Sequence, residues 1–251
     1  MLRDSQGRFV EAVVPLFKKL HASFDKWDAH RITASSAFAE LYGAMLGDGC
    51  IYTYGNSLCI VGNAKLDSHY VSSYLASLFE ELFNITPHIY RDSSKIRLVV
   101  NNNECIEKLV SIGYVRGRKK DKSVEIPQFI FNDEDLLKSC IRGLFDTDGG
   151  VYSHPHTGIM MDITCKHAML LSSLHKALRC LNIQGGLLNT GFVCYAQKAV
   201  TFLNAIGSSN LRNVGRYLSY IRDGRVPEAN NPNLALINEF EITLPFKGPV
   251  V

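Results

Sequence analysis

The sequence predicts an α+β fold built twice, and three observations carry that prediction. The stretch "LYGAMLGDG" (Leu41 to Gly49) returns as "IRGLFDTDG" (Ile141 to Gly149). The segments that follow each copy correspond in order, and the spacing between equivalent residues shrinks only slowly, from Asp48 and Asp148 through Ile85 and Ile183 to Gly113 and Gly207. Within each copy, stretches of helical and strand periodicity alternate.

The elements follow from local pattern. Residues 37–47 and 135–147 read as the two motif helices, the second opened by the cluster Asn132, Asp133, Glu134 and Asp135. "SLCIVGN", "KIRLVV" and "GIMMDITC" are β-rich runs bounded by Asn, Gly and Ser, hence strands. "LFEELF" and "LHKALRCL" carry apolar residues three and four apart, hence helices. Strands in each half pair into an antiparallel sheet with helices on one face. The expected divisions are a helical extension over 1–35, a first half over 36–125, a second half over 126–227 and an irregular tail over 228–251. Pro15 breaks the helical pattern of the extension.

Bulk properties set limits. The chain has 251 residues, 46% hydrophobic and 20% charged, enough for a sizeable core. The net charge of +3 permits a nucleic-acid partner without indicating one. Seven cysteines, an odd number with no Cys-x-x-Cys pair, read as reduced thiols in an intracellular reducing compartment, whether cytoplasm, nucleoid or organelle. No secretory pattern or membrane-spanning apolar run is visible, so no membrane partner is expected.

The motif helices are unusual in composition. Every fourth residue gives Ala39, Gly43 and Gly47 in one and Ser139, Gly143 and Thr147 in the other, a ridge of small side chains along one face. A glycine inside a helix costs roughly 0.5–1 kcal/mol relative to alanine. Two equivalent helices accepting that cost imply close approach of another backbone, most economically each other's. The halves then meet about a pseudo-twofold axis in one monomer. Asp48 and Asp148 end the two ridges and come side by side. Each carboxylate faces the unfavourable end of a helix dipole, and each repels the other, which raises at least one pKa. Divalent metal resolves the conflict: the two acids, with the helix-end carbonyls of Gly47 and Thr147, are hard oxygen ligands suited to Mg²⁺. For one motif alone, Asp-Gly as an ordinary helix stop is the simpler reading; the duplicated copy reverses that balance.

On these residues the chain resembles the single-chain, two-motif LAGLIDADG homing endonucleases. Gly43 and Gly143, Asp48 and Asp148, and Gly49 and Gly149 match the motif, and the likeness extends over about 36–225, including "GNAK" and "IGSSNLRNVGRY". The first copy departs at Leu46 and Gly47, whereas the second keeps Asp146. The resemblance implies two αββαββα halves whose strands form a saddle in the DNA major groove. It implies a site-specific endonuclease that cuts both strands of a long, near-asymmetric target across the minor groove, leaving short 3′ overhangs, in the service of intron homing. Two or three Mg²⁺ ions would be shared between Asp48 and Asp148, with Mn²⁺ substituting and Ca²⁺ binding without turnover. It also implies a basic or amide group at each strand end, for which Lys65 and Lys166 are candidates and Asn63 an alternative. Activity can be lost in such proteins, so the competing expectation is a degenerate homologue that binds intron RNA or DNA as a maturase.

Residues expected to meet DNA are Tyr52, Tyr54, Asn56, Asn63, Arg91, Lys95 and Arg97 in the first half and Tyr152, Ser153, His154 and His156 in the second. Arg and Asn suit base edges; Lys and Tyr suit phosphate. Arg116, Arg118, Lys119 and Lys120, in the charge run between the halves, are candidates for flanking phosphates or for a solvated loop. His154 with His156, and Cys165 with His167, lack structural zinc spacing. "DTDGG" superficially suggests an aspartic-protease dyad, but that chemistry needs Asp-Thr/Ser-Gly turns, and the first copy reads Gly-Asp-Gly.

Overall fold

A computed structural model describes residues 2–3, 9–10, 33–119, 122–228 and 244–246. The chain divides into two compact units, residues 1–33 and 34–251. In the first, β1 (Leu2–Arg3) and β2 (Phe9–Val10) pair antiparallel, with Leu2 opposite Val10 and Arg3 opposite Phe9. Phe9 and Val10 open the stretch expected to be helical; both suit an extended, cross-paired backbone, and most of that stretch lies outside the described residues.

The second unit holds the repeat. Its first half runs α1 (Ser36–Asp48), β3 (Gly49–Ile51), β4 (Leu58–Asn63), a π-helical segment Tyr70–Leu75 leading into α2 (Ala76–Phe83), β5 (His88–Arg91), β6 (Lys95–Val100) and α3 (Asn103–Ser111). Its second half runs α4 (Glu134–Asp148), β7 (Gly149–Tyr152), β8 (Met160–Thr164), α5 (Ala168–Cys180), β9 (Gly186–Leu188), β10 (Gly191–Tyr195) and α6 (Gln197–Ile206), followed by α7 (Leu211–Asp223). Each half is therefore αββαββα. The two four-stranded sheets have orders β3-β4-β6-β5 and β7-β8-β10-β9, the same order under the duplication, and every pairing is antiparallel.

Local chemistry starts these helices where polar residues take the first free N–H groups. Ser35 Oγ accepts from Phe38 N at 3.1 Å, Asn102 Oδ1 from Cys105 N at 2.9 Å, and Asp133 Oδ1 from Asp135 N and Leu136 N at 2.8 and 3.0 Å. The acidic cluster before α4 thus supplies its cap at Asp133.

The core centres on α1 against α4. Both carry almost wholly buried sequences, Phe38–Leu46 and Leu136–Asp146 with few gaps. Ala39 and Ser139 are buried, and a Cβ added to Gly43 would overlap the carbonyl oxygen of Cys140. One added to Gly143 would overlap the Glu40 carbonyl oxygen and stand 2.7 Å from Ala44 N. The contacts are equivalent under the repeat, glycine of each helix on backbone of the other. No side chain fits between them.

Polar groups also cross this interface. Arg142 Nη1 pairs with Glu40 Oε2 at 2.6 Å, both buried, and Arg142 Nε donates to Ile206 O at 2.8 Å. Ser209 Oγ donates to Glu40 Oε1. Asp146, also buried, accepts from Ser208 Oγ, from Ser209 N (2.6 Å), from Asn210 N (3.2 Å) and from Asn213 Nδ2 (3.1 Å). The loop carrying Ser208 pairs with the tail: Ser208 and Phe246 exchange backbone hydrogen bonds of 2.8 and 2.9 Å. Leu244 and Phe246 pack on Val214 and Leu218 of α7. Phe246→Ala, truncating a half-buried side chain, is expected to cost about 1–2 kcal/mol in urea unfolding.

Candidate functional site

The site forms where α1 and α4 end together. Asp48 and Asp148 are the last residues of the two helices. Gly47 abuts Thr147: a Cβ there would overlap Thr147 Oγ1 and lie 3.2 Å from the carboxyl carbon of Asp148. The small ridge therefore brings the acids together. Gly49 and Gly149, the residues after them, are extended and not left-handed, with φ of −82° and −127°. They are glycines for room, since a Cβ would stand 2.6 Å from Met45 O or 2.8 Å from Phe145 O. The usual left-handed helix stop is not the reason for either Asp-Gly.

The electrostatics show the strain expected of paired acids. Desolvation, and then the charge of Asp148, push the Asp48 carboxyl up to about 7, with Lys119 and Arg212 pulling it back. Asp48 is exposed as a residue, so water screens the energetic weight of that shift. Desolvation raises Asp148 to about 6 against the opposing charge of Lys119. The pair titrates jointly, and its last proton leaves near neutrality.

Each helix end carries a cation. Lys119 Nζ donates to the carbonyls of Met45 (3.0 Å), Leu46 (2.7 Å) and Gly47. Arg212 Nη2 donates to Gly149 O (3.0 Å) and, more loosely, to Asp146 O (3.4 Å). Lys119 follows Gly113 and Arg212 follows Gly207 at nearly the same distance, so they are counterparts under the repeat. Their partners differ. Arg212 Nη1 is ion-paired with Asp67 Oδ1 at 3.0 Å, and that carboxylate also receives Asn210 Nδ2 at 2.8 Å and Asn63 N at 2.9 Å.

This arrangement changes several expectations. Lys65 and Lys166 are exposed beyond the ends of β4 and β8, and the basic side chain that reaches the acid pair is Lys119. Lys119 is thus not a grip on flanking phosphate. Its position in a charge run hid it, because sequence spacing does not show that the segment after α3 turns back over the end of α1. The Gly47 carbonyl, expected to face metal, is engaged by Lys119. Thr147 Oγ1 bonds back to Gly143 O and Leu144 O at 3.0 and 3.1 Å, leaving only its carbonyl for a ligand role. Asn63 Oδ1 closes its own turn by accepting from Lys65 N and Leu66 N. Among the described residues no group of three or more His, Cys, Asp or Glu could hold a metal ion, so any ion here rests on two carboxylates and on carbonyl oxygens.

The outer sheet faces are unequal. On β6 the burial alternates, placing Lys95 and Arg97 outward, with Arg97 in register between Val61 and exposed Tyr90. Tyr52, Tyr54, Asn56, Arg91 and Arg118 are exposed too. Three arginines are already engaged, Arg97 with Asp92 at 3.4 Å, Arg116 with Glu107 at 2.6 Å and Arg91 with the Ser68 hydroxyl. In the second half Ser153 and His156 are exposed, and the His154 ring meets Tyr195 edge-on at 5.0 Å. Tyr152 lies half-buried, with the Arg216 guanidinium 5.8 Å from its ring centre. Exposed Leu187, Leu188 and Tyr195 dominate that sheet.

Two αββαββα halves joined by backbone-to-backbone motif helices, with one acid closing each helix, give the chain the LAGLIDADG fold. No protein-family model matches it. Over 223 residues it is 29% identical to the replication factor C small subunit of Methanocaldococcus jannaschii, a match taking in 79% of this chain and 10% of that protein. The chain therefore spans about a tenth of the length of this curated relative. Among solved structures, it is similar to I-DmoI in complex with DNA and Mn, at 14% identity and a TM-score of 0.48, covering 70% of this chain and 97% of that one. It is also similar to the N-terminal LAGLIDADG domain of DUF199/WhiA, at 18% identity and a TM-score of 0.43, covering 74% and 93%.

Proposed function

We propose that the chain is a site-specific, Mg²⁺-dependent endonuclease that hydrolyses both strands of a long, near-asymmetric DNA duplex as a monomer, in the manner of intron homing. The observation that carries this reading is the pair Asp48 and Asp148, forced together at the ends of two helices at an electrostatic cost that has no structural benefit. The donor set fits a hard divalent ion: two carboxylates resisting ionisation, neighbouring helix-end carbonyls, and a cation already drawn to both. Asp48 and Asp148 would hold the ion, which when bound supplies Lewis acidity and an acidified water. Mn²⁺ is expected to substitute, and Ca²⁺ to bind without turnover.

The chain's own residues supply position and charge. Lys119 and Arg212 set positive charge beside the acids, where a phosphate gathering negative charge would lie. Lys95, Arg97 and Arg91 give the first sheet its phosphate and base contacts and Arg118, beyond α3, meets flanking phosphate, while Leu187, Leu188 and Tyr195 offer the second sheet apolar contact with base edges. The two faces suit a target whose halves differ. Cleavage across the minor groove with short 3′ overhangs is what the resemblance to the LAGLIDADG endonucleases implies.

The test uses a plasmid carrying the uninterrupted sequence into which the encoding gene is inserted. With Mg²⁺ the protein should linearise it. Asp48→Asn and Asp148→Asn should each remove double-strand cleavage while retaining the band shift; full cleavage by either variant overturns the reading. A second reading, a non-cleaving binder of DNA or intron RNA, draws on Lys119, which engages the Gly47 carbonyl that an ion would use. Tight binding without product by the unaltered protein would favour it.

A further inference from the structure

Lys119 is unlike a surface lysine. Its three N–H donors match three of the last four carbonyls of α1, which have no partner within the helix. Met45 O is shared with the Tyr114 hydroxyl at 2.6 Å and with the N–H of Gly49, so the half-buried ammonium sits against the oxygens that end α1. Its own desolvation lowers the Lys119 pKa, against the charges of Asp148 and then Asp48, which favour the ionised state. Its counterpart Arg212 is neutralised by Asp67 and held by Asn213, the end of α4 and Gly149. No such acid is bonded to Lys119 among the described residues. Its counter-charges are the acid pair itself.

We propose that Lys119 is the resident cation beside the metal-free acid pair, and that a divalent ion enters by displacing its ammonium from the Gly47 carbonyl, next to Asp48. The proposal deepens the nuclease reading and rests on it only in that the same two carboxylates take the ion. An ammonium and a divalent ion repel each other strongly at such range in a partly desolvated corner. They also compete for the same oxygens. Lys119 has the four-carbon stem needed to swing clear, whereas the Arg212 guanidinium is pinned by Asp67, Asn213, Asp146 and Gly149. One half of the site therefore opens on metal entry and the other stays fixed.

Competition is read directly by Mn²⁺ binding to the whole chain without DNA, followed by the electron paramagnetic resonance signal of free Mn²⁺ at pH 7.5. Lys119→Met is expected to bind Mn²⁺ about tenfold more tightly than the unaltered protein, within the usual range of coupling between two ligands. Equal or weaker binding overturns the displacement. A second measurement needs no variant at that position: acetylation of the Lys119 amine, followed by mass spectrometry, should be slow in the metal-free protein and accelerate with Mg²⁺. Asp148→Asn should remove that acceleration, and labelling indifferent to Mg²⁺ overturns the proposal. If neither the unaltered protein nor Lys119→Met binds Mn²⁺, the nuclease reading falls together with it. Binding without displacement brings down this proposal alone.

Discussion

Gly143→Ala is expected to lower the thermal midpoint by roughly 6–12 °C, the largest stability loss any single methyl should cause in this chain. The added Cβ has no space: it would overlap the Glu40 carbonyl oxygen and sit 2.7 Å from Ala44 N. Those atoms belong to the backbone of α1, so relief requires the two helices to separate along their whole length, not a side chain to turn. Overpacking a core typically costs about 1–3 kcal/mol, and a clash with helix backbone belongs at or above the top of that range. Gly43→Ala should behave alike against Cys140. Gly55→Ala is the contrast, because nothing lies within 4 Å of its new Cβ and only its φ of 97° resists. That substitution should cost about 1 kcal/mol. Differential scanning calorimetry of the three variants decides the matter; a Gly143→Ala midpoint as high as that of Gly55→Ala would mean that the helices do not touch through these glycines.

The metal-free protein should be more stable at pH 5.5 than at pH 7.5. Asp146 is fully buried, and burial pushes it up to about 7, although its hydrogen bonds from Ser208, Ser209 and Asn213 oppose the shift. Asp48 is raised to about 7 and Asp148 to about 6. An unfolded aspartate titrates near 3.9, so between about 4 and 7 the native state holds protons that the unfolded state has released. The stability they contribute is complete below the lower value and is lost as pH rises through the upper ones. The charges of Lys119 and Arg212 oppose the rise of Asp48, and that of Glu40 adds to the rise of Asp146. Screening at exposed Asp48 limits the total, and roughly 2 kcal/mol, or about 4–8 °C, is expected between the two pH values. Mg²⁺ should reverse the trend, because it competes with protons for Asp48 and Asp148 and so stabilises the protein more at pH 7.5 than at pH 5.5. Asp48→Asn should flatten both effects. A metal-free midpoint that climbs steadily from pH 5.5 to 7.5 would contradict the acid pair's strain.

Much of this architecture is visible in the residues because the duplication supplies a second measurement of every signal. Gly43 alone is a poor helix residue; Gly43 with Gly143, one ridge on each helix, is an interface. The acids followed from that geometry. The basic groups did not, since Lys119 and Arg212 lie on irregular or cap-proximal chain whose path depends on tertiary packing. Asp67, only two residues from Lys65, is not marked by the sequence, because its partner Arg212 is far away in the chain and a cross-half ion pair leaves no periodic trace. The role of Asp146 was likewise hidden: the motif marks it as an acid near the site, whereas its carboxylate turns to Ser208, Ser209, Asn210 and Asn213.

The Glu40–Arg142 pair has a consequence for ancestry and engineering. Repeat symmetry puts Cys140 where Glu40 would recur and Tyr42 where Arg142 would recur. Two first halves brought together would seal Glu40 away with no cation, and two second halves would do the same to Arg142, each a severe penalty. Expressed as separate polypeptides, the fragments should therefore recombine as a mixed pair and refuse like with like. Each lobe is fitted to its sibling and not to its own copy.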